Sequence, residues 1–122
     1  FRYMIKRHGG MLAKGRLLGI QFQTLFEDGL YWKLGKHADQ LAEQIRNTLQ
    51  ECGFSFLARS HTNQVFPILP DDLCEKLSQK YMYCYQERID NSHSAIRFCT
   101  SWATRPENVD ALCQDIRSLS AK

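Results

Sequence analysis

The chain of 122 residues lacks several features that would assign it to a large class of proteins. No apolar run approaches the roughly 20 residues that span a bilayer, so we expect no transmembrane helix and no membrane partner. There is no internal repeat, no Pro-rich or Ser-rich linker, and no phosphate-binding motif of the P-loop or G-x-G-x-x-G type. Hydrophobic residues make up 43% and charged residues 24%, which excludes collagen-like, low-complexity and disordered chains. The length predicts one domain, or a fragment of a larger one.

Close cysteine pairs are also absent. The cysteines number five, and no two of them have C-x-x-C spacing. A disulfide framework would leave one cysteine over. Zinc ligands usually come in close pairs, and the four histidines are scattered along the chain without such spacing. We therefore expect reduced cysteines that act as small core residues, a cytoplasmic protein and no metal site. The cysteines are Cys52, Cys74, Cys84, Cys99 and Cys113.

The first 16 residues contain no acidic side chain. They carry five basic residues, which exceed the net charge of +3, so the rest of the chain is mildly acidic. A basic head suits an anionic ligand, but it is too short, and too poor in interleaved aromatic residues, for a nucleic-acid surface. Residue 1 is Phe, and residues 1–5 already have the pattern of a structural element. No apolar stretch of a secretory signal follows, and we expect a fragment of a longer polypeptide.

Hydrophobic periodicity predicts an α+β fold, a small antiparallel sheet with helices packed on one face. Helical spacing covers four segments: 11–28, 31–53, 70–77 and 109–119. Strand-like alternation covers four others: 54–58, 64–69, 81–85 and 95–99. Segment 11–28 is apolar nearly all round, which predicts a buried helix. Thr104 and Glu107 have the spacing of a capping box for the last helix.

A glycine pair, Gly9-Gly10, is surrounded by the cations of the basic head. Glycine lets the backbone approach a ligand closely, and the helix that follows offers free N–H groups at its positive end. This arrangement is typical of a phosphate-binding loop. The alternative is a loop that leads into a buried helix, with charges that are merely solvated.

Arg97 stands out because it interrupts an apolar strand, between Ile96 and Phe98. Arginine binds a carboxylate through two parallel hydrogen bonds, and a strand end would hold the guanidinium rigidly. The alternative is the polar member of an alternating strand, pointing to water. The pattern alone leaves both interpretations open.

Two stretches together resemble the C-terminal part of the threonine aldolase family. They are RHGGMLAKG at residues 7–15 and IRFCTSW at residues 96–102, the second followed by an acidic terminal helix. The family belongs to the β-eliminating lyases, pyridoxal-phosphate enzymes of the aspartate-aminotransferase fold group. The resemblance extends over essentially the whole chain, and it implies that residues 1–30 are a linking helix from a large domain and residues 31–122 a small α+β domain.

The resemblance implies cleavage of a β-hydroxy-α-amino acid, threonine giving glycine and acetaldehyde. The family's carboxylate-binding arginine falls on Arg97. Lys14 or Arg16, with the close approach that Gly10 allows, would contact the cofactor phosphate, because Leu12 stands where many members have an arginine. The Schiff-base lysine lies upstream of Phe1 in the family. The resemblance therefore implies no catalytic residue and no activity in this chain alone.

The same resemblance implies partners that the chain does not contain. These are an N-terminal large domain and further copies of the subunit, in a dimer or tetramer. Four aromatic residues are expected to be exposed where those partners would pack: Phe22, Phe26, Tyr31 and Trp32. Two alternatives remain: another pyridoxal-phosphate enzyme of this fold group, an aminotransferase or β-lyase, and a non-enzymatic α+β binding module.

Overall fold

A computed structural model describes residues 1–120 of the chain. The chain divides into two compact units, one covering Phe1–Lys33 and the other beginning at Leu34. The helices are α1 (Arg2–Arg7), α2 (Arg16–Phe26), α3 (Leu30–Glu51), α4 (Asp71–Ser78) and α5 (Pro106–Ser120), with a 3-10 turn at Glu27–Gly29. The strands are β1 (Gln64–Val65), β2 (Ile68–Pro70), β3 (Cys84–Arg88) and β4 (His93–Cys99).

The first unit corrects the prediction that segment 11–28 is a buried helix. Helix α2 occupies only Arg16–Phe26, and none of its residues is buried. Its apolar side chains cover more than one face, so a unit of this size offers too few neighbours to bury them. The rings of Phe22, Phe26, Tyr31 and Trp32 contact one another in sequence, with neighbouring centroids 5.3–6.5 Å apart, and all four are exposed as expected.

Helix α3 confirms the helix predicted over 31–53. Its buried side chains recur every three or four residues, including Leu41, Ile45 and Leu49. Gly53 ends it with a φ of 83°, the left-handed conformation that glycine adopts without steric penalty. The N–H of Gly53 donates to the carbonyl of Gln50, and that of Phe54 donates to the carbonyl of Leu49. This pattern is typical of a helix that ends in a glycine cap.

The sheet is antiparallel and built around β4. Strand β3 pairs with one edge of β4, while β1 and β2 pair with successive parts of β4, Val65 opposite Phe98 and Ile68 opposite Ala95. Pro67 separates β1 from β2 because it has no N–H to donate. Its carbonyl accepts a hydrogen bond of 3.0 Å from the N–H of Ile96.

One face of the sheet carries the core. Ile96 and Phe98 of β4 pack in one cluster with apolar side chains of α3, α4 and α5, such as Leu49, Leu77 and Ile116. This arrangement confirms the predicted α+β class with helices on one face of an antiparallel sheet. Within residues 1–120, no helix combines the length and the apolar character needed to cross a bilayer.

Several predicted elements are wrong in detail. Segment 54–58 is not a strand; only Phe56 forms an isolated bridge, with Pro67. The strand predicted over 81–85 starts at Cys84 and runs to Arg88. Helix α5 begins at Pro106, and the hydroxyl of Thr104 accepts a hydrogen bond from the N–H of Ser101, so the predicted capping box is not formed. Residues 1–30, which the resemblance implies to be a linking helix, form two separate helices, α1 and α2, and residues 8–15 between them are not helical.

The cysteines also differ in part from the prediction. All five are free thiols in the structure. Cys74 and Cys113 are buried core residues as expected, and Cys52 is half-buried. Cys84 and Cys99 are exposed, because they lie on strand positions that face away from the helices.

Candidate functional site

Arg97 lies in the middle of β4, on the face of the sheet opposite the helices. Because side chains alternate along a strand, the burial of Ile96 and Phe98 in the core directs Arg97 to the other face. Cys84 of β3 is its partner across the ladder, and Cys99 lies two residues further along the same face. The side chain of Arg97 is half-buried. It is therefore neither a core residue nor an extended surface arginine.

The guanidinium of Arg97 has hydrogen-bonding capacity that its surroundings do not use. Its Nε atom is buried and has no hydrogen-bond partner within the described chain. None of the ion pairs formed by residues 1–120 involves Arg97. A hydrogen bond with Cys84, then the charge of Cys84, raises the pKa of Arg97, while burial acts in the opposite direction. An anion is the natural partner for such a group, because an unpaired buried donor is costly.

The end of the strand that carries Arg97 is firmly held. The hydroxyl of Thr100 donates to the carbonyl of Ala38 in α3 at 2.7 Å, and the N–H of Thr100 donates to the carbonyl of Asn63 at 3.0 Å. The amide of Asn63 donates in return to the carbonyl of Thr100 at 2.8 Å. These bonds hold β4 against α3 and the start of β1. Arg97 is thus presented by a braced strand rather than by a loop.

The sequence pattern alone does not single out Asn63 and Thr100. The signal that was available is their place at the ends of two predicted strands, where polar side chains often satisfy backbone groups. His37 contributes a further link, since its Nε2 lies 2.9 Å from the carbonyl of Thr104. In the part of the chain that the structure describes, no group of three His, Cys, Asp or Glu side chains is placed to hold a metal ion.

The glycine pair of the first unit has a structural role. Gly9 has a φ of 69°. Its N–H donates to the carbonyl of Lys6, and the N–H of Gly10 donates to the carbonyl of Ile5. These two bonds end helix α1 in the manner of a glycine C-cap. A Cβ atom at Gly10 would lie 3.3 Å from Cγ2 of Ile5, so this position favours glycine for packing reasons as well.

The two cations predicted to face a cofactor phosphate lie just after this loop. Lys14 and Arg16 are exposed, and neither forms an ion pair with any residue in 1–120. Arg16 begins α2, and the N-cap residue Gly15 offers no side chain to satisfy the first N–H groups. Free cations beside uncapped N–H groups fit an anionic group. Gly10, Lys14 and Arg16 belong to the first unit, and Arg97 belongs to the second.

Comparison with known proteins gives a consistent result. No family model matches the chain. Over 120 residues, the chain is 28% identical to the low specificity L-threonine aldolase of Pseudomonas sp. (strain NCIMB 10558), covering 98% of this chain and 34% of that protein.

A solved structure of Leishmania major threonine aldolase superposes with a TM-score of 0.91 at 34% sequence identity, covering 98% of this chain and 35% of that one. The chain therefore spans about a third of the length of these two relatives. The resemblance predicted from residues 7–15 and 96–102 is confirmed: in sequence and in fold, this chain is similar to threonine aldolases over about a third of their length, which fits a C-terminal fragment.

Proposed function

We propose that the chain is the C-terminal portion of a lyase that cleaves β-hydroxy-α-amino acids, threonine giving glycine and acetaldehyde, with pyridoxal phosphate. The relatives that it matches in sequence and in structure are both named as threonine aldolases. The observation that carries the proposal within the chain is Arg97, whose buried Nε has no partner among the described residues. An amino-acid carboxylate supplies what this guanidinium lacks.

Arg97 binds and orients the substrate in this proposal. Its planar guanidinium holds the carboxylate by paired hydrogen bonds, which fixes the rotation of the amino acid about its Cα. Orientation of this kind lowers the barrier because the scissile bond is already aligned before the reaction. The bonds of Thr100 to Ala38 and Asn63 keep the strand that carries Arg97 in place.

Lys14 and Arg16 hold the cofactor phosphate in this proposal, and Gly10 contributes close approach of the backbone. The fit rests on two exposed cations without an acidic partner in residues 1–120, next to the uncapped start of α2. When bound, pyridoxal phosphate supplies withdrawal of electrons from the α-carbon, which permits cleavage of the Cα–Cβ bond. The lysine that anchors the cofactor is assigned to the large domain, so we expect no activity from this chain alone.

The aromatic cluster of the first unit is assigned to contacts with the rest of the enzyme. Phe22, Phe26, Tyr31 and Trp32 are between 48% and 71% exposed. An exposed apolar patch of this kind usually marks a protein interface. We assign it to the large domain and to a second subunit of a dimer or tetramer. A cytoplasmic location, expected from the free thiols, stays a prediction.

The proposal is tested by substitution in the full-length parent enzyme. Arg97→Ala is expected to lower kcat/KM for threonine by about tenfold to 150-fold, because a charged hydrogen bond to a carboxylate contributes roughly 1.5–3 kcal/mol. Cofactor absorbance should be unchanged. Arg97→Lys should restore only part of the activity, since lysine cannot form the paired hydrogen bonds.

The matched control is Arg105→Ala, which removes an exposed arginine that forms no ion pair among residues 1–120. Unchanged kcat/KM in Arg97→Ala would show that the arginine does not bind the carboxylate. A parent that exchanges its amino group with a keto acid, without releasing glycine, would be another enzyme of the same fold group.

A further inference from the structure

A cavity with a cationic lining lies in the unit that begins at Leu34. It has a volume of about 380 Å³ and is bounded by α3 on one side and by residues 56–66 on the other. This volume falls within the range of roughly 300–1,000 Å³ that is typical of small-molecule pockets. Neither Arg97 nor the cations of the basic head line it. The roles proposed above therefore leave this cavity unexplained.

The cavity is lined by basic side chains and by no acidic ones. Arg46, Arg59 and His61 line it, and no Asp or Glu does. Arg46 is half-buried, and its one hydrogen bond within the described chain is a long contact of 3.4 Å to the carbonyl of Thr62. Arg59 and His61 form no ion pair with residues 1–120. Two guanidinium groups without a carboxylate leave most of their donors available to an anion.

The wall of the cavity is aromatic. Phe56 and Phe66 line it, and both are half-buried. The N–H of Leu57 donates to the carbonyl of Phe66 at 2.9 Å, and Phe56 forms a bridge with Pro67. These backbone contacts hold the two rings on neighbouring extended segments. They present a preformed apolar surface beside the cations.

The loop that supplies the cations is ordered by its own hydroxyl groups. The oxygens of Ser60 and Thr62 lie 2.9 Å apart, and the N–H of Thr62 donates to the hydroxyl of Ser60 at 3.3 Å. Arg59 and His61 flank Ser60 in this turn. The cations therefore project from a structured turn, and ligand binding does not have to order it.

We propose that this cavity binds a small organic phosphate, with the phosphate on Arg46 and Arg59 and a flat apolar group against Phe56 and Phe66. Two guanidinium groups in a cavity whose lining includes no Asp or Glu favour a dianion over the single charge of a carboxylate. His61 adds one further donor at the edge of the site. The inference stands apart from the proposed lyase reaction, because it uses different residues.

The test is a titration of the chain followed by amide NMR signals, with phenyl phosphate as the probe. Phenyl phosphate is the probe because it combines a phosphate with a flat aromatic ring. Saturable shifts are expected at Ser60, His61 and Phe66. Inorganic phosphate, benzoate and phenol should each bind at least about tenfold more weakly, because each lacks either the aromatic group or the second negative charge.

Substitutions locate the site. Arg46→Gln and Arg59→Gln should each weaken binding of phenyl phosphate by about tenfold, and glutamine preserves the helix at position 46. Lys36→Gln removes the same charge from an exposed position of α3 and should change the affinity by less than about twofold. Thermal unfolding of each variant establishes that it is folded.

Three results would overturn the proposal. The first is the absence of saturable shifts in the wild-type chain. The second is an equal loss of affinity in Lys36→Gln and in the two arginine variants, which would indicate attraction to net charge alone. The third is equal binding of phenyl phosphate and any one of the comparison compounds, which would remove the assigned role of the aromatic wall or of the dianion.

Discussion

The hydroxyl of Thr100 donates a hydrogen bond of 2.7 Å to the carbonyl of Ala38, joining the end of β4 to helix α3. Thr100 is 3% exposed, so water cannot replace this bond. Thr100→Val keeps the shape of the side chain and removes its donor. We expect the free energy of unfolding to fall by about 1 kcal/mol, the usual contribution of a buried hydrogen bond. Urea denaturation of the two proteins measures the difference.

The control for this prediction is Thr100→Ser, which keeps the hydroxyl group. It also removes one methyl group. Once the contribution of that methyl group is subtracted, the free energy of unfolding should fall less in Thr100→Ser than in Thr100→Val. In the parent enzyme, Thr100→Val should also raise KM for threonine, because it loosens the strand that carries Arg97. Equal stability of Thr100→Val and wild type would show that the hydrogen bond does not brace the strand.

Arg97 allows the stability of the chain to be separated from its proposed function. Its buried Nε lacks a partner in the described part of the chain, so the folded chain retains a desolvated donor. Replacing it by methionine removes this group while keeping a long side chain. We expect Arg97→Met to leave the free energy of unfolding unchanged, or to raise it by about 1 kcal/mol. A loss of stability of that size would instead indicate that Arg97 holds the sheet together.

We expect the turn between β3 and β4, which contains Asp90, to lose stability in acid. Its carboxylate accepts hydrogen bonds from the N–H groups of Ser92 and His93 at 2.7 and 2.8 Å. The hydrogen bond from the N–H of Ser92 is the largest cause of a lowered pKa of Asp90. With the ring of His93 and the N–H of His93, it lowers that pKa from 3.8 to about 2. The stabilisation is therefore complete above pH 3.8 and is lost as the pH falls through about 2.

This prediction is checked in two measurements. The carboxyl carbon of Asp90 should titrate with a midpoint of about 2 in the folded chain. Asp90→Asn should be less stable than wild type at neutral pH and should lose less stability on acidification, because it has no proton to bind. A midpoint near the ordinary value of 3.8 would contradict the hydrogen-bonded turn.

The thiols should separate into two classes that react quickly and slowly with an alkylating reagent. Cys84 and Cys99 are exposed, whereas burial raises the pKa of Cys74 to about 11 and also raises that of Cys113. Iodoacetamide at pH 8 is expected to modify the two exposed thiols first, because the thiolate is the reactive form. Mass spectrometry of the digested chain measures the order. A Cys84→Ser, Cys99→Ser double variant should show no fast phase, and rapid labelling of Cys74 would contradict the burial.

Local patterning was sufficient for the elements that pack on one another. The four-residue spacing of Leu41, Ile45 and Leu49 predicted α3, and the alternation around Ile96 and Phe98 predicted β4. These patterns report which face of an element avoids water, and the core of the structure uses those faces.

Patterning failed where the outcome depended on a neighbour. Phe54 and Phe56 alternate like strand residues, yet the strand next to them is interrupted at Pro67, and only one bridge forms. The apolar helix α2 is exposed because the first unit offers too few residues to cover it. The predicted capping box was replaced by the bond between Ser101 and Thr104, which the spacing of Thr104 and Glu107 does not reveal.

The amino-acid sequence by itself determined the class of the fold, the helices α3 and α5, the strand that carries Arg97, and the resemblance to threonine aldolases. Tertiary structure alone decided that the Nε of Arg97 is left without a partner in residues 1–120, that Thr100 reaches Ala38 62 residues away, and that Arg46 and Arg59 share a cavity. The physical reason is the separation along the sequence over which each interaction acts. Hydrophobic periodicity and turn chemistry act over a few residues, whereas the pairing of distant polar groups depends on how finished elements pack.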